Sequence, residues 1–204
     1  LAPDGLLASG DAKGGVTLWN ATTGTFLRRL SAHAKKVSGL TFSMDGSLLA
    51  TAGWDAAIHI WPVDPTGAVA DSPRRTLRHG SEITALAFGP DGHQLASSGL
   101  DGKANIWNAD DGTLDHVFDQ GDVSINALAW HPDGRQLAIA ADQNSNVSNP
   151  FPVRLWNFRS GTTRTFYGHT YPVKSVAISP NGTRIISAGE EGSVRLWHVA
   201  TGLE

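Results

Sequence analysis

Five tryptophans, Trp19, Trp61, Trp107, Trp156 and Trp197, recur at intervals of 42, 46, 49 and 41 residues, so one structural unit is written several times over. A unit of that size cannot bury its apolar face alone and must stack on its neighbours. A helical array of similar period would carry apolar residues every three to four positions. This chain instead offers short apolar stretches between turn residues, so each copy reads as about four strands.

Aligned on tryptophan, the copies share much more. A turn glycine follows five residues later at Gly24, Gly112, Gly161 and Gly202, and six later at Gly67. Asp4-Gly5, Asp45-Gly46, Asp91-Gly92, Asp133-Gly134 and Asn181-Gly182 precede it, and such pairs supply the positive φ of a tight hairpin. Before each pair stands an apolar pattern, Val37, Leu40 and Phe42 in one copy and Ile83, Leu86 and Phe88 in the next. Ile125, Leu128 and Trp130, then Val173, Val176 and Ile178, repeat it. Segments around Phe26, Leu77, Val117 and Phe166 supply a fourth, more polar strand. The reading is an all-β chain: a β-propeller of about five four-stranded antiparallel blades, with repeats at 1–30, 31–78, 79–119, 120–167 and 168–204 in one domain. The first copy lacks its innermost strand and the last its rim strand, a tally of 18 strands. The expectation is an open arc of a larger propeller, because a seven-bladed ring at this period needs about 290 residues and natural sheets protect their edges.

Histidine stands 28 residues before the tryptophan at His33, His79 and His169. Ser or Thr lies ten before it at Ser9, Thr51, Ser97 and Ser187, and an acid six before it at Asp55, Asp101 and Glu191. With these spacings holding together, the chain resembles the WD-repeat family of β-propellers over nearly its whole length. The resemblance implies a buried network in each regular blade: His33, Thr51, Asp55 and Trp61; His79, Ser97, Asp101 and Trp107; His169, Ser187, Glu191 and Trp197. The chemistry agrees, since a buried indole N–H needs an acceptor, a hydroxyl passes the bond on, and a carboxylate fixes the imidazole tautomer. These Asp-His-Ser sets are therefore architecture. A hydrolytic triad occurs once per site, this constellation recurs per blade, and the chain has no G-x-S-x-G elbow.

The copies are unequal. The fourth has Gly121 at the histidine position, Ile139 at the hydroxyl position and a polar insertion over 143–152, read as a projecting loop. Asp142, Asn144 and Asn146 are spaced like the start of a calcium loop, but Val147 replaces its glycine and Val153 its glutamate, so calcium is rejected. The first copy has Lys13 at the acid position, and the second carries an insertion over 63–73, taken as surface variation.

Net charge is −3, from 16 basic and 19 acidic residues that are scattered. Nucleic acid, which needs a clustered basic surface, is not expected as a partner. Arg74, Arg75 and Arg78 form one local group and read as a solvated strand. The longest wholly apolar run is five residues, so membrane insertion is not expected. The chain has no cysteine, which leaves cytosol and periplasm equally allowed. The remaining histidines lack ligand spacing, and residues 10–15 lack the Lys-Ser/Thr ending of a phosphate loop, so no metal or cofactor is expected.

Surface recognition remains. By position, the resemblance implies a top face carrying Lys35, Lys36, Trp54, Glu82, Leu100, Ser124, Tyr171 and Glu190, bordered by Phe151, that docks a protein or peptide. Trp54 lies outside the repeat pattern, so no core role explains it, and exposed tryptophan is enriched among binding hot spots. The expected function is a noncatalytic interaction scaffold or sensor, with further blades or domains of the same chain as additional partners. The rival is an enzyme or ligand-binding propeller with a site in the central funnel, for which no convergent catalytic set can be named.

Overall fold

The computed structural model describes residues 5–142 and 151–204, which contain 18 strands and no helix. They form five antiparallel sheets. The first holds β1 (Leu6–Gly10), β2 (Gly15–Asn20) and β3 (Phe26–Ser31). The second runs β4 (Val37–Phe42), β5 (Leu48–Gly53), β6 (Ala57–Pro62) and β7 (Arg75–Arg78). The third runs β8 (Ile83–Phe88), β9 (Gln94–Gly99), β10 (Lys103–Asn108) and β11 (Leu114–Asp119). The fourth runs β12 (Ile125–Trp130), β13 (Gln136–Ala141), β14 (Val153–Asn157) and β15 (Thr162–Phe166). The last holds β16 (Val173–Ile178), β17 (Arg184–Gly189) and β18 (Val194–His198). Each sheet is a meander in sequence order, the propeller-blade arrangement anticipated from the repeat. The arc is not closed.

Turn chemistry makes the blades. Gly46, at φ 75°, turns β4 into β5 while the Asp45 carboxylate accepts the Ser47 amide at 3.1 Å. At the opposite end of the blade, Gly102 at φ 72° packs so closely that a Cβ would fall 1.9 Å from the Gly121 carbonyl oxygen, which ties the hairpin to the neighbouring loop. Ala56 occupies the same slot in the second blade with φ 62°, a left-handed conformation that costs a residue with a side chain about 1–2 kcal/mol.

The core lies between blades. Each tryptophan face packs on an aliphatic pair of the blade before it: Trp61 with Val16 and Leu18, Trp107 with Ile58 and Ile60, Trp156 with Ala104 and Ile106, Trp197 with Val153 and Leu155. The two ends of the arc show the halves of this junction uncovered. Val194 and Leu196, in the aliphatic slot of the last blade, are 65% and 43% exposed. Trp19, in the first, touches Phe26 of its own blade at 6.0 Å between ring centroids.

The second-copy insertion is more than surface variation. A bridge between Val63 and Val69 folds it over the first blade, where both valines are buried beside Leu6 and Leu30. Arg28 clamps it by donating to the Val69 carbonyl at 3.0 Å and pairing with Asp71 at 2.8 Å.

Candidate partner-binding face

The hydrogen-bonded sets sit where two loops of each blade meet, and they hold those loops together. In the second blade the Trp61 indole donates to Thr51 Oγ1 at 3.2 Å, and Thr51 stands 2.9 Å from His33 Nε2. His33 Nδ1 lies 3.0 Å from Asp55, whose other oxygen accepts the Ala34 amide at 2.9 Å. Burial holds the His33 pKa below its ordinary value despite Asp55, which keeps the ring neutral. One tautomer then satisfies every member: Nδ1–H donates to Asp55 and Nε2 accepts from Thr51. The fifth blade repeats the pattern, with Trp197 to Ser187 at 2.8 Å, Ser187 to His169 at 2.7 Å and His169 to Glu191. In the third, Trp107 and His79 each meet Ser97 at 2.8 Å, but the His79 ring is turned over, presenting Nδ1 to the hydroxyl and leaving Nε2 3.4 Å from Asp101. The first blade also has the Trp19 to Ser9 bond, at 2.8 Å. In the fourth, Ile139 pairs with Arg154 across the ladder where the others place a hydroxyl.

These networks position the residues beside them. The Trp54 amide donates to the Lys36 carbonyl at 2.9 Å, Leu100 to Glu82 at 3.0 Å, and Glu190 to Pro172 at 2.9 Å. Asp142 donates in the same way to Ser124 at 3.0 Å. The tips of the four complete junctions therefore carry Trp54, Leu100, Asp142 and Glu190 on one face. Trp54 is 42% exposed and lies under the Lys36 ammonium, 4.9 Å from ring centroid to nitrogen. Leu100 and Tyr171 are exposed too. Lys35 reaches across to Glu82 at 3.7 Å, linking two blades at the surface.

Phe151 differs from expectation. It is buried among Val153, Phe166 and Val173, so it is not a contact residue but a floor on which the exposed Tyr171 ring stacks, 6.4 Å away and nearly parallel at 10°. An aromatic side chain beside a sheet edge gains more from burial than a polar loop can hold back. The rest of the fourth-copy loop, including Asn144 and Asn146, lies outside the described residues.

Two groups escaped the sequence reading. Asp142 occupies the slot of Trp54 and Leu100, but the insertion displaces it when positions are counted back from Trp156. It gathers Ser124 Oγ, Asn126 Nδ2 at 2.8 Å and Lys174 Nζ at 2.7 Å, and Lys174 also meets Glu190 at 3.3 Å. Burial pushes the Asp142 carboxyl up, but these donors outweigh it and hold the pKa below its ordinary value. At the other mouth, Phe42, Phe88, Trp130 and Ile178, with Met44, Pro90, Pro132 and Pro180, line a mostly apolar hollow of about 370 Å³. No cluster of three metal-ligating side chains occurs among the described residues. Among the described residues no helix is long and apolar enough to cross a membrane.

The family profile described as WD domain, G-beta repeat matches residues 24–62, 71–108, 112–147 and 160–198. The chain belongs to the WD-repeat family. Among similar proteins, WD repeat-containing protein 18 of Rattus norvegicus is 32% identical over 211 residues, covering 97% of this chain and 49% of that protein. Periodic tryptophan protein 2 of Saccharomyces cerevisiae is 44% identical over 48 residues, 24% of this chain and 5% of its own. The guanine nucleotide-binding protein subunit beta of Oryza sativa subsp. indica is 38% identical over 68 residues, 29% of this chain and 18% of its own. The chain thus spans about half the length of the first of these relatives and far less of the others. As a WD-repeat array it falls among proteins that generally act as noncatalytic scaffolds for protein partners.

Proposed function

We propose that this WD-repeat array docks a protein or peptide on the face carrying Lys35, Lys36, Trp54, Glu82, Leu100, Ser124, Tyr171 and Glu190, and that it performs no catalysis. The observation that carries the reading is Trp54: a large aromatic side chain left exposed on a backbone that hydrogen bonds hold rigid. A preorganised loop loses little entropy on binding, so contact area made there converts efficiently into affinity. The alternation of Lys36, Glu82 and Lys174 beside apolar tips suits a mixed peptide surface rather than a phosphate backbone, which calls for clustered positive charge. Some relatives carry names tied to assemblies, such as ribosome biogenesis protein erb1 of Neurospora crassa, which is in keeping with a scaffold role. Further blades or domains of the same protein are proposed neighbours of the two uncovered ends.

The test pairs affinity capture with direct binding. Wild-type protein and Trp54→Ala are used to capture partners from the source proteome, and the affinity of each captured partner is then measured for both. Removal of a tryptophan hot spot is expected to weaken binding by about tenfold or more with the melting temperature unchanged. Equal affinities for every partner would take Trp54, and with it the proposed face, out of the site.

A further inference from the structure

Two residues before each blade's tryptophan stands Thr17, His59, Asn105, Arg154 or Arg195. The two arginines are satisfied differently. Arg195, in the fifth blade, meets the Glu204 carboxylate at 2.6 Å. Arg154, in the fourth, donates from Nη1 to the neutral side-chain oxygen of Gln120 at 3.0 Å. Gln120 is itself fixed, its amide N–H donating to Gly102 O at 3.2 Å and its Nε2 to Val123 O at 2.8 Å. Among the described residues no carboxylate is paired with Arg154. Nor does the sequence between 143 and 150 contain an acid that could supply one.

A guanidinium remains charged in a protein and presents five donors in a planar fork suited to a carboxylate. Holding such a cation in a partly buried position without an anion is costly, and a well-placed carboxylate relieves that cost. Burial pulls the Arg154 pKa down, with only the Tyr167 phenol acting in the opposite direction. The acids on the adjoining loop do not fill the role: Asp119 faces Lys103 at 3.7 Å, and Asp122 is exposed.

We infer that Arg154, braced by Gln120, is a receptor for a carboxylate side chain of the bound partner, so the peptide that docks on this array is acidic where it crosses the fourth blade. The inference rests on the proposed docking role and names part of the partner's chemistry. Arg195 with Glu204 shows within the same chain that this slot accepts a carboxylate.

The experiment titrates the whole chain with acetyl-Ala-Glu-Ala-amide and with its Gln counterpart at matched ionic strength. The readouts are the Arg154 Nε–H and Gln120 side-chain amide signals in NMR spectra. The Glu peptide is expected to shift both signals saturably, at concentrations at least tenfold below those the Gln peptide needs. In Arg154→Gln, which removes a poorly compensated charge and is expected to keep the wild-type melting temperature, the Gln120 signal should no longer respond. Equal responses to the two peptides, no response, or a response retained in Arg154→Gln would overturn the inference. So would a silent wild type that begins to respond in Asp122→Asn, because the chain's own carboxylate would then hold the site. Trp54→Ala should leave this titration unchanged, so failure of the Trp54 reading and failure of this one are separable.

Discussion

At the scale of single residues, this protein spends its chemistry on keeping histidines neutral. Burial is the largest influence on His33, His59 and His79 and lowers the pKa of each, that of His59 to about 4. His59 packs on His33 with ring centroids 4.8 Å apart and bonds Thr76 at 2.9 Å; the charges around it are His33, Asp55 and Arg78. In the unfolded chain these rings take up protons near pH 6.5, while the folded ones resist. Stability should therefore be fully present above about pH 6.5 and be lost as pH falls toward about 4, because the unfolded state then binds more protons. The slope per neutral histidine is at most about 1.4 kcal/mol per pH unit, and less for His59, whose partly exposed ring is screened by solvent. Below that window Glu191 continues the trend: burial raises its pKa, but bonds from Ser193 and His169 outweigh it and bring it down to about 2, so its contribution is lost as pH falls from its ordinary value. Urea unfolding midpoints should hold nearly level from pH 8 to about 6.5 and fall from there to pH 4, and His59→Gln should flatten the decline while leaving the midpoint at pH 8 nearly unchanged. An identical slope in the variant would remove His59 from this account.

Among the strands, the inner ones share a device. In β4, β8, β12 and β16 the register slips after the first residue, and the residue left out of the ladder is Ser38, Thr84, Asn126 or Lys174. A bulge re-aims its side chain, and in the third and fourth blades the polar group is turned toward the next blade. Thr84 donates to the Ile125 carbonyl, and Asn126 donates to the Val173 carbonyl at 3.0 Å while also bonding Asp142. Ser38 turns back to Ala52 of its own blade at 3.4 Å. Asn126→Ala is expected to cost about 1–3 kcal/mol because it leaves Asp142 and a backbone carbonyl short of a donor. Ser38→Ala should cost less than half as much, and equal losses in urea titrations would show that the bulge residues do not latch blades. The tryptophan, hydroxyl and histidine positions were legible in the sequence because each bond in their network demands a particular functional group at a set spacing. The bulge column was present in the same text but varies in side-chain type, since a carbonyl accepts from Ser, Thr, Asn or Lys alike. Asp142 and Phe151 were obscured for another reason: the insertion between them breaks the count from Trp156, and burial of Phe151 depends on Val173 and Phe166, far along the chain.

For the whole molecule, one junction repeated four times explains why the period alone announced the architecture. The tryptophan of one blade covers an aliphatic pair of the blade before it, so the repeat length is also the distance between interlocking halves. How the last blade's outer face would be left was not readable from spacing, because exposure is a property of neighbours. In these residues Ile186, Val194 and Leu196 share that face, with Ile186 opposite Leu196 in the ladder, and all three are exposed. The equivalent internal pair, Ile58 and Ile60, is completely buried. A serine substitution should then have very unequal consequences at the two places. Ile60→Ser removes buried aliphatic surface and puts a hydroxyl in its place, a loss of about 2–5 kcal/mol. Leu196→Ser alters an open surface and should change stability by no more than about 0.5 kcal/mol. The open face should also be sticky, since contiguous apolar surface without cover drives association. Sedimentation velocity of the wild type across a concentration series should show self-association that the Val194→Ser, Leu196→Ser double variant loses, with its urea midpoint retained. If the double variant instead unfolds as readily as Ile60→Ser, the face is covered in solution, as the proposed further blade would cover it.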